Sequence, residues 1–533
     1  MALLQRLSRP AAVDALRLLR RGKVRLPSIK LQISVAKRYT DRVKGALNTN
    51  ETTLVKVRLR LLKGCRYYLA MSKGIYPLSL LVLATGVFVS GCALTPRLDV
   101  APNLLSDAWS QGLPEMQAGL AVNRPQTVAA LLHSPEIETM TAQALLANPN
   151  MLAAQTRIDQ ALAGIRIARG AALPLVSVSN GLSTTRSVAK GAFDFSSSFA
   201  AIDASFSVDL WGRVAAGKRS ALQRARAARF DRDDFVVALQ SEIARTYVQH
   251  TTLQARISLL DRNLAATTKL QHILELRQRE GVATRVDVGL QVIRVSQLLA
   301  ERSRLEQAFD QTRTALALLI GVESPRFLPT STTLNSFART PPAVPLPSEI
   351  MPFRADVLAA EARIHAAGGD VVQARAAFFP SLDLSLNRLS QTVLSGGPLA
   401  GLTLGANLLL PIFNRGRLKG ELDSAAALQR EAVQNYRQVL LAALAQVEDA
   451  LSAARHSRDR AAILEDIERE ARLTANLAQQ QYLEGEADLR NVLDAQDQLI
   501  NAQDARVVSV QEQLEASIAL FRATQTTAKS GRA

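Results

Sequence analysis

Two stretches of this chain run for more than a hundred residues without a proline, from Pro174 to Pro325 and from Pro411 to the C-terminus. Proline breaks a helix interior. Both stretches also carry apolar residues three and four apart, the pattern of a helix with one buried stripe. A Glu-Gly pair interrupts each of them, Glu280-Gly281 and Glu484-Gly485. From Arg213 to the first break is about 66 residues, roughly 100 Å of helix at ~1.5 Å per residue. The return segment 287–320 gives roughly 50 Å and the entering segment 134–170 roughly 55 Å, so two half-length helices stacked end to end match one long helix. Ordinary globular helices average about 11–12 residues. Helices this long, in antiparallel company, predict a coiled-coil rod. The last one places Leu489, Val492, Leu493, Leu499, Ile500, Val507, Leu514, Ile518 and Phe521 at coiled-coil intervals.

The pattern occurs twice. Ala153-Ala154-Gln155-Thr156-Arg157-Ile158, leading to Leu173-Pro174, returns as Ala359-Ala360-Glu361-Ala362-Arg363-Ile364, leading to Phe379-Pro380. Gly212-Arg213 matches Gly416-Arg417, and Glu280-Gly281 matches Glu484-Gly485. Such a constant offset across several landmarks predicts an internal duplication. The expected repeats are 131–322 and 353–525, joined by a proline-rich connector at 323–352 that reads as irregular. Residues 92–130 read as a loop-like N-terminal segment and 526–533 as a polar tail.

Between the entering and the long helix of each repeat lie two runs of period two. Ser381-Leu382-Asp383-Leu384-Ser385-Leu386-Asn387 and Ile202-Asp203-Ala204-Ser205-Phe206-Ser207-Val208 each place apolar side chains on one face and mostly polar ones on the other. With Lys190-Gly191 and Ser395-Gly396-Gly397-Pro398 as turns, they predict hairpins with strands at about 174–188 and 198–210, and at about 381–392 and 401–412. Four strands of membrane type cannot close a barrel by themselves, and an open edge is not tolerated in lipid. Two chains would supply eight strands and a filled interior; three would supply twelve and room for a water-filled lumen.

The N-terminus reads as processing signal rather than fold. After Met71 and Lys73 comes an apolar run, Leu80 to Val89, ending in Ser90-Gly91-Cys92. A basic flank, a short apolar core and small residues before the cut describe a secretory signal peptide over 71–91. Such a run is too short to cross ~30 Å of hydrocarbon as a helix. Segment 1–70 is read as sequence upstream of a true start at Met71. It also explains the bulk charge of +17. Residues 1–70 hold 17 Lys and Arg against 3 Asp and Glu, whereas residues 92–533 hold 46 against 44. A near-neutral mature chain has no basic footprint for nucleic acid. Cys92 is its only cysteine, so no intrachain disulfide forms, and lipid is the natural cap for the thiol.

These features together resemble a known family. A lipobox at Cys92, Val208-Asp209-Leu210-Trp211-Gly212-Arg213 after the second strand, Pro411-Ile412-Phe413 before Gly416-Arg417, and Val492-Leu493-Asp494-Ala495-Gln496 in the last helix are similar to the TolC-like outer-membrane efflux proteins. The resemblance is to their lipoprotein (NodT-type) branch, the outer-membrane factors of resistance-nodulation-division pumps, and it covers about residues 95–525. Phe206-Ser207 and Arg354-Ala355-Asp356 depart from the family's usual Trp-Glu and Arg-Pro-Asp, at sites that read as structural.

The resemblance implies an α+β membrane protein. As a homotrimer it would complete a twelve-stranded barrel in the outer membrane and a periplasmic helical tunnel. It implies a periplasmic adaptor and an inner-membrane pump as partners, and passive conduction of drugs or other small molecules outward. Cys92 would carry diacylglycerol and an N-acyl chain, with no other cofactor; Ala93, rather than Asp, favours sorting to the outer membrane. Gly281 and Gly485 would form the periplasmic tips for adaptor docking, since glycine enters positive φ without penalty. Asp287 and Asp494 match acidic residues of the family's constriction, with Arg285 and Arg490 as candidate partners. In a trimer each aspartate would form a ring of three carboxylates that favours cations. No catalytic motif is present, and His133, His250, His272, His365 and His456 show no metal-ligand spacing. The competing readings are an outer-membrane duct of a type I protein secretion system and a lipid-anchored coiled-coil scaffold without a pore.

Overall fold

The strands decide how the helices are placed. The computed structural model describes residues 109–110, 126–185, 195–324, 327, 329, 332–342, 344–393 and 397–525. The segments 1–70 and 71–91, Cys92, the loops at 186–194 and 394–396 and the tail 526–533 lie outside the described residues. Strands β1 (Leu175–Thr185), β2 (Phe195–Val208), β3 (Ser381–Val393) and β4 (Gly397–Leu409) form one antiparallel sheet in the order β1-β2-β3-β4. Strand β4 starts before the expected 401 because Gly397 and Pro398 pair with Val393 and Thr392; proline is tolerated at the start of a strand. It ends before Pro411, which lacks the N–H to continue the ladder.

Register sorts the two faces. Val178, Ile202, Arg388 and Leu402 stand opposite one another, as do Val176, Ala204, Leu386 and Leu404. With Phe206, Leu384, Leu382 and Leu408, and interrupted by Arg388, they give one face a broad apolar band. The other face is polar: Asn387 donates to Asp203, Ser207 donates to Asp383, and Ser179 donates to Asp203 at 3.5 Å. Phe199 lies across Gly181 on that face, where a Cβ would meet the ring at 2.7 Å.

The helices follow in matching order. The first set comprises α1 (Val128–Leu132), α2 (Pro135–Ala147), α3 (Pro149–Gly170), α4 (Arg213–Arg279) and α5 (Arg285–Ile320). After the connector come α6 (Pro347–Ile350), α7 (Ala355–Ala376), α8 (Arg417–Glu484) and α9 (Leu489–Thr524). Helices α3 and α7 have 22 residues each, α4 and α8 have 67 and 68, and α5 and α9 have 36 each. The entering segment 134–170 is not one helix. Asn148 ends α2, its Oδ1 accepts from the N–H groups of Asn150 (2.8 Å) and Met151 (3.1 Å), and Pro149 occupies the first turn of α3. Cap and proline together make a new start cheaper than continuation. The loop-like reading of 92–130 misses α1, and the connector, read as irregular, contains short helical turns at Leu334–Ser336, Pro347–Ile350 and Met351–Phe353. No described helix is long and apolar enough to cross a membrane.

Helix α4 packs against α3, α7, α5 and α9, and α8 packs against α7 and α9. Next to the strands the order is therefore α3-α4-α7-α8, and toward the glycine turns it is α5-α4-α9-α8. Each layer is an open arc. Its edges are always β1, α3 or α5 on one side and β4 or α8 on the other.

A collar binds the middle of the arc. Tyr247 is fully buried against Phe337, ring edge to face at 6.1 Å. Trp109 is buried beside Val344, Met351 and Val447, and its Nε1 donates to Pro345 O at 2.7 Å. Buried Arg354 donates to Ala523 O (2.6 Å), Asp356 and Gln446, tying the end of α9 to the start of α7. His250 stacks on Phe309 at 4.1 Å. The Thr312 hydroxyl donates to Phe309 O, leaving its oxygen to accept from His250 Nδ1 at 2.9 Å.

Two predictions follow from this packing. At Gly321 (φ 85°) an added Cβ would lie 2.5 Å from Ala147 O, whereas at Gly281 (φ 77°) it meets nothing within 4 Å. Gly321→Ala should therefore lower the thermal midpoint well beyond Gly281→Ala, the latter carrying only the ~1 kcal/mol of a strained φ. Burial pushes the His250 imidazole down to about 4. Between there and its unfolded value of about 6.5 the unfolded chain holds the extra proton, so stability rises with pH across that window. Thermal midpoints measured from pH 4.5 to 7 should show this slope, and His250→Gln should flatten it.

Candidate gate at the helix tips

Both long helices end in the same device. Gly281 (φ 77°) and Gly485 (φ 81°) follow α4 and α8 in the left-handed region. The Gly281 N–H reaches Gln278 O (3.0 Å) and the Val282 N–H reaches Arg277 O (2.9 Å). Gly485 and Glu486 repeat the pair on Tyr482 and Gln481. These are Schellman turns, which satisfy the last carbonyls of a helix and need a residue at ease with positive φ. Each turn reverses the chain within five residues, bringing α5 back along α4 and α9 back along α8.

The two hairpins are packed together at this end. Leu270, Leu274 and Val288 of the first bury against Ala475, Ala478, Leu489, Val492 and Ala495 of the second. The Arg277 guanidinium lies 5.1 Å over the Tyr482 ring. Farther along, Arg256 holds Asp504 through two hydrogen bonds of 2.6 and 2.9 Å, and Arg294 pairs with Asp497. Burial lowers the Arg294 pKa, but its carboxylate partner keeps the guanidinium compensated. Gln291, fully buried on α5, donates to Thr267 O of α4 at 2.8 Å.

The four charged residues expected at the gate have different surroundings. The Asp287 carboxylate closes a capping box: it accepts from the Thr284 N–H (2.8 Å) and hydroxyl (2.7 Å), while the Asp287 N–H donates to Thr284 Oγ1 (3.2 Å). Neither Arg285 nor Arg490 reaches it within ion-pair distance among the described residues. Arg490 lies 4.0 Å from Asp494, one turn away on α9, and both are highly exposed at 88% and 67%. An exposed pair of this kind is worth at most about 1 kcal/mol. Asp287 and Asp494 therefore differ in kind, one committed to a helix start and the other free to face a neighbour.

Sequence reasoning passed over Asp497, Asp504, Arg294 and Arg256, which hold the hairpins together. A signal was present: Asp497 and Asp504 are seven residues apart, one heptad, and so share a face of α9. Their basic partners on α4 and α5 are more than two hundred residues away and could not be paired without the fold. Among the described residues no group of His, Cys, Asp or Glu is arranged to hold a metal.

Residues 140–322 and 346–525 match the family model described as outer membrane efflux protein. The chain is 32% identical over 460 residues to the pyoverdine export outer membrane protein OpmQ of Pseudomonas putida, covering 84% of this chain and 96% of that one. It is 29% identical over 468 residues to the toluene efflux pump outer membrane protein TtgF of the same species, covering 83% and 95%. Among solved structures, the Campylobacter jejuni CmeC outer membrane channel superposes with a TM-score of 0.75 at 19% identity, over 81% of this chain and 94% of that one. With the hairpin tips, the sheet and the arcs of helices all accounted for, the chain belongs to the outer membrane efflux protein family.

Proposed function

We propose that this efflux protein works as a homotrimer whose twelve strands close a barrel in the outer membrane and whose helices continue it as a periplasmic tunnel. It is the exit duct of a tripartite efflux system, and family and relatives alike are transport proteins. One observation carries the trimer: every layer of the protomer is open, with β1, α3 or α5 at one edge and β4 or α8 at the other. Strand β1 can pair with a neighbour's β4, α3 with its α8, and α5 with its α8, by one and the same rotation. Such head-to-tail contacts close into a ring when the rotation closes. The edges are apolar as this requires, with Val286, Leu290 and Ile293 exposed along α5, and Ile463, Ile467 and Leu477 along α8. The two halves, with helices of equal length in the same order, fit one duplicated unit, so that each turn of the ring meets six similar units.

In this reading the polar sheet face lines the lumen and the apolar face meets lipid. Cys92 carries the lipid anchor, and the Gly281 and Gly485 turns receive a periplasmic adaptor, which couples the duct to a resistance-nodulation-division pump in the inner membrane. The gate lies just above the turns. Asp494, exposed and only loosely held by Arg490, projects a ring of three carboxylates; Asp287 contributes from the first turn of α5 while it caps that helix. A scaffold without a pore would leave the two-faced sheet without a role.

Two measurements test this. Unboiled gels and mass measurement of the purified protein should show three chains, reverting to one on boiling; a monomer in mild detergent would sink the closed barrel. In planar bilayers the wild type should conduct weakly, and Asp494→Ala should raise closed-state conductance several-fold and weaken cation preference. Unchanged conductance would remove Asp494 from the gate. Asp287→Ala is a poorer probe, because loss of its cap costs about 1 kcal/mol independently of any gate.

A further inference from the structure

The periplasmic rim of the sheet carries features that the duct does not use. Directly below β4, Ile412 and Phe413 are 91% and 84% exposed, and Leu173 is exposed below β1. Trp211 stacks on Phe379 at 4.9 Å and donates to Pro380 O at 2.7 Å, so its ring sits fixed at the same level. Apolar and aromatic side chains at the ends of membrane strands mark the interface with headgroups.

Cations without acids follow immediately. Residues 412–420 contain Arg415, Arg417 and Lys419 and no Asp or Glu, and residues 160–182 contain Arg166 and Arg169 and no acid. Residues 211–230 of α4 hold six Lys and Arg and no acid. Arg417 reaches Glu421 at 2.6 Å, but Arg166, Arg169, Arg415 and Lys419 are exposed and form no ion pair among the described residues. In the ring, the β4 and α8 edge of one protomer meets the β1 and α3 edge of the next. That contact brings Arg415, Arg417 and Lys419 to the neighbour's Arg166 and Arg169. Like charges facing each other across an interface disfavour it, and at the membrane surface a negative headgroup can lie between them.

We propose that each subunit seam binds an anionic phospholipid of the periplasmic leaflet. Its phosphate sits among Arg166, Arg169, Arg415 and Lys419, and its acyl chains lie along Leu173, Ile412, Phe413 and the outer face of β1 and β4. Charge complementarity selects the headgroup, since a zwitterionic lipid brings no net charge to neutralise the seam. Each Lys or Arg near an anionic surface contributes about 1 kcal/mol, roughly fivefold in binding. The seam rests on the trimer proposed above, and the experiment reads the two separately.

The full chain is reconstituted in nanodiscs of phosphatidylethanolamine, alone or with one fifth phosphatidylglycerol, and lipids retained per chain are counted by native mass spectrometry. The wild type should retain phosphatidylglycerol over phosphatidylethanolamine. The Arg415→Gln/Lys419→Gln variant, left folded because both side chains are exposed, should lose at least about tenfold of that preference. Trimer melting should rise by several degrees with phosphatidylglycerol in the wild type and not in the variant. Equal retention of both lipids, or an undiminished preference in the variant, would overturn the site. So would inorganic phosphate reproducing the melting shift in pure phosphatidylethanolamine, since the ligand would then be a free anion. A wild type that runs as a monomer overturns the ring, and the retained-lipid ratio still reports whether the rim selects anionic headgroups.

Discussion

A strand edge exposes N–H and C=O groups that find no water inside a bilayer, and each left unpaired costs several kcal/mol. This chain forms a four-stranded sheet with two edges, β1 and β4, which the proposed barrel would place in the membrane. The rest of its architecture is consistent with that constraint. The helices continue the sheet as arcs with the same two open sides, so pairing that satisfies the strands also covers the exposed apolar rows of α5 and α8. In the proposed ring, closing the barrel and building the tunnel are one event.

Specificity within the rods comes from few groups. The buried positions of α8 and α9 include many small residues, Ala450, Ala454, Ser457, Ala461 and Ser509 among them, and small side chains fix helix register weakly. The Arg256–Asp504 and Arg294–Asp497 pairs and the buried Gln291–Thr267 contact add directional constraints where the two hairpins meet. Partly buried charge pairs bring little net stability, but breaking one leaves an uncompensated charge. They penalise a shifted alignment of the hairpins more than they deepen the aligned one. Such an interface would suit the gate proposed at the tip, because the aligned state is well defined without being held by a large apolar core.

Charge is also distributed along the axis. The strand-proximal part of α4 is wholly basic over 211–230, while Asp466, Glu468, Glu470, Glu484, Glu486, Asp488, Asp494 and Asp497 cluster toward the tip of the second hairpin. A net charge near zero over residues 92–533 conceals this separation. The basic end is where lipid headgroups are proposed to bind, and the acidic end is where the gate and the adaptor surface are proposed.

Much of this was legible in the residues themselves. The absence of proline, the three-four spacing and the Glu-Gly breaks located α4, α5, α8 and α9 to within a few residues, because helix continuity and its termination are local properties. Period two located the strands for the same reason, although their ends shifted where Gly397 and Pro398 joined the ladder. The break at Asn148-Pro149 was equally local and was written in the sequence as a cap followed by proline. What the sequence could not decide was which residues meet across two hundred positions. Asp287 and Asp494 look alike as acids near a turn, yet one is consumed by Thr284 and the other stands exposed, a difference of side-chain geometry. The pairing of Asp504 with Arg256, the open edges of every layer and the cation-rich rim exist only once α4 lies between its neighbours. Those features depend on long-range packing, which periodicity along a chain does not encode.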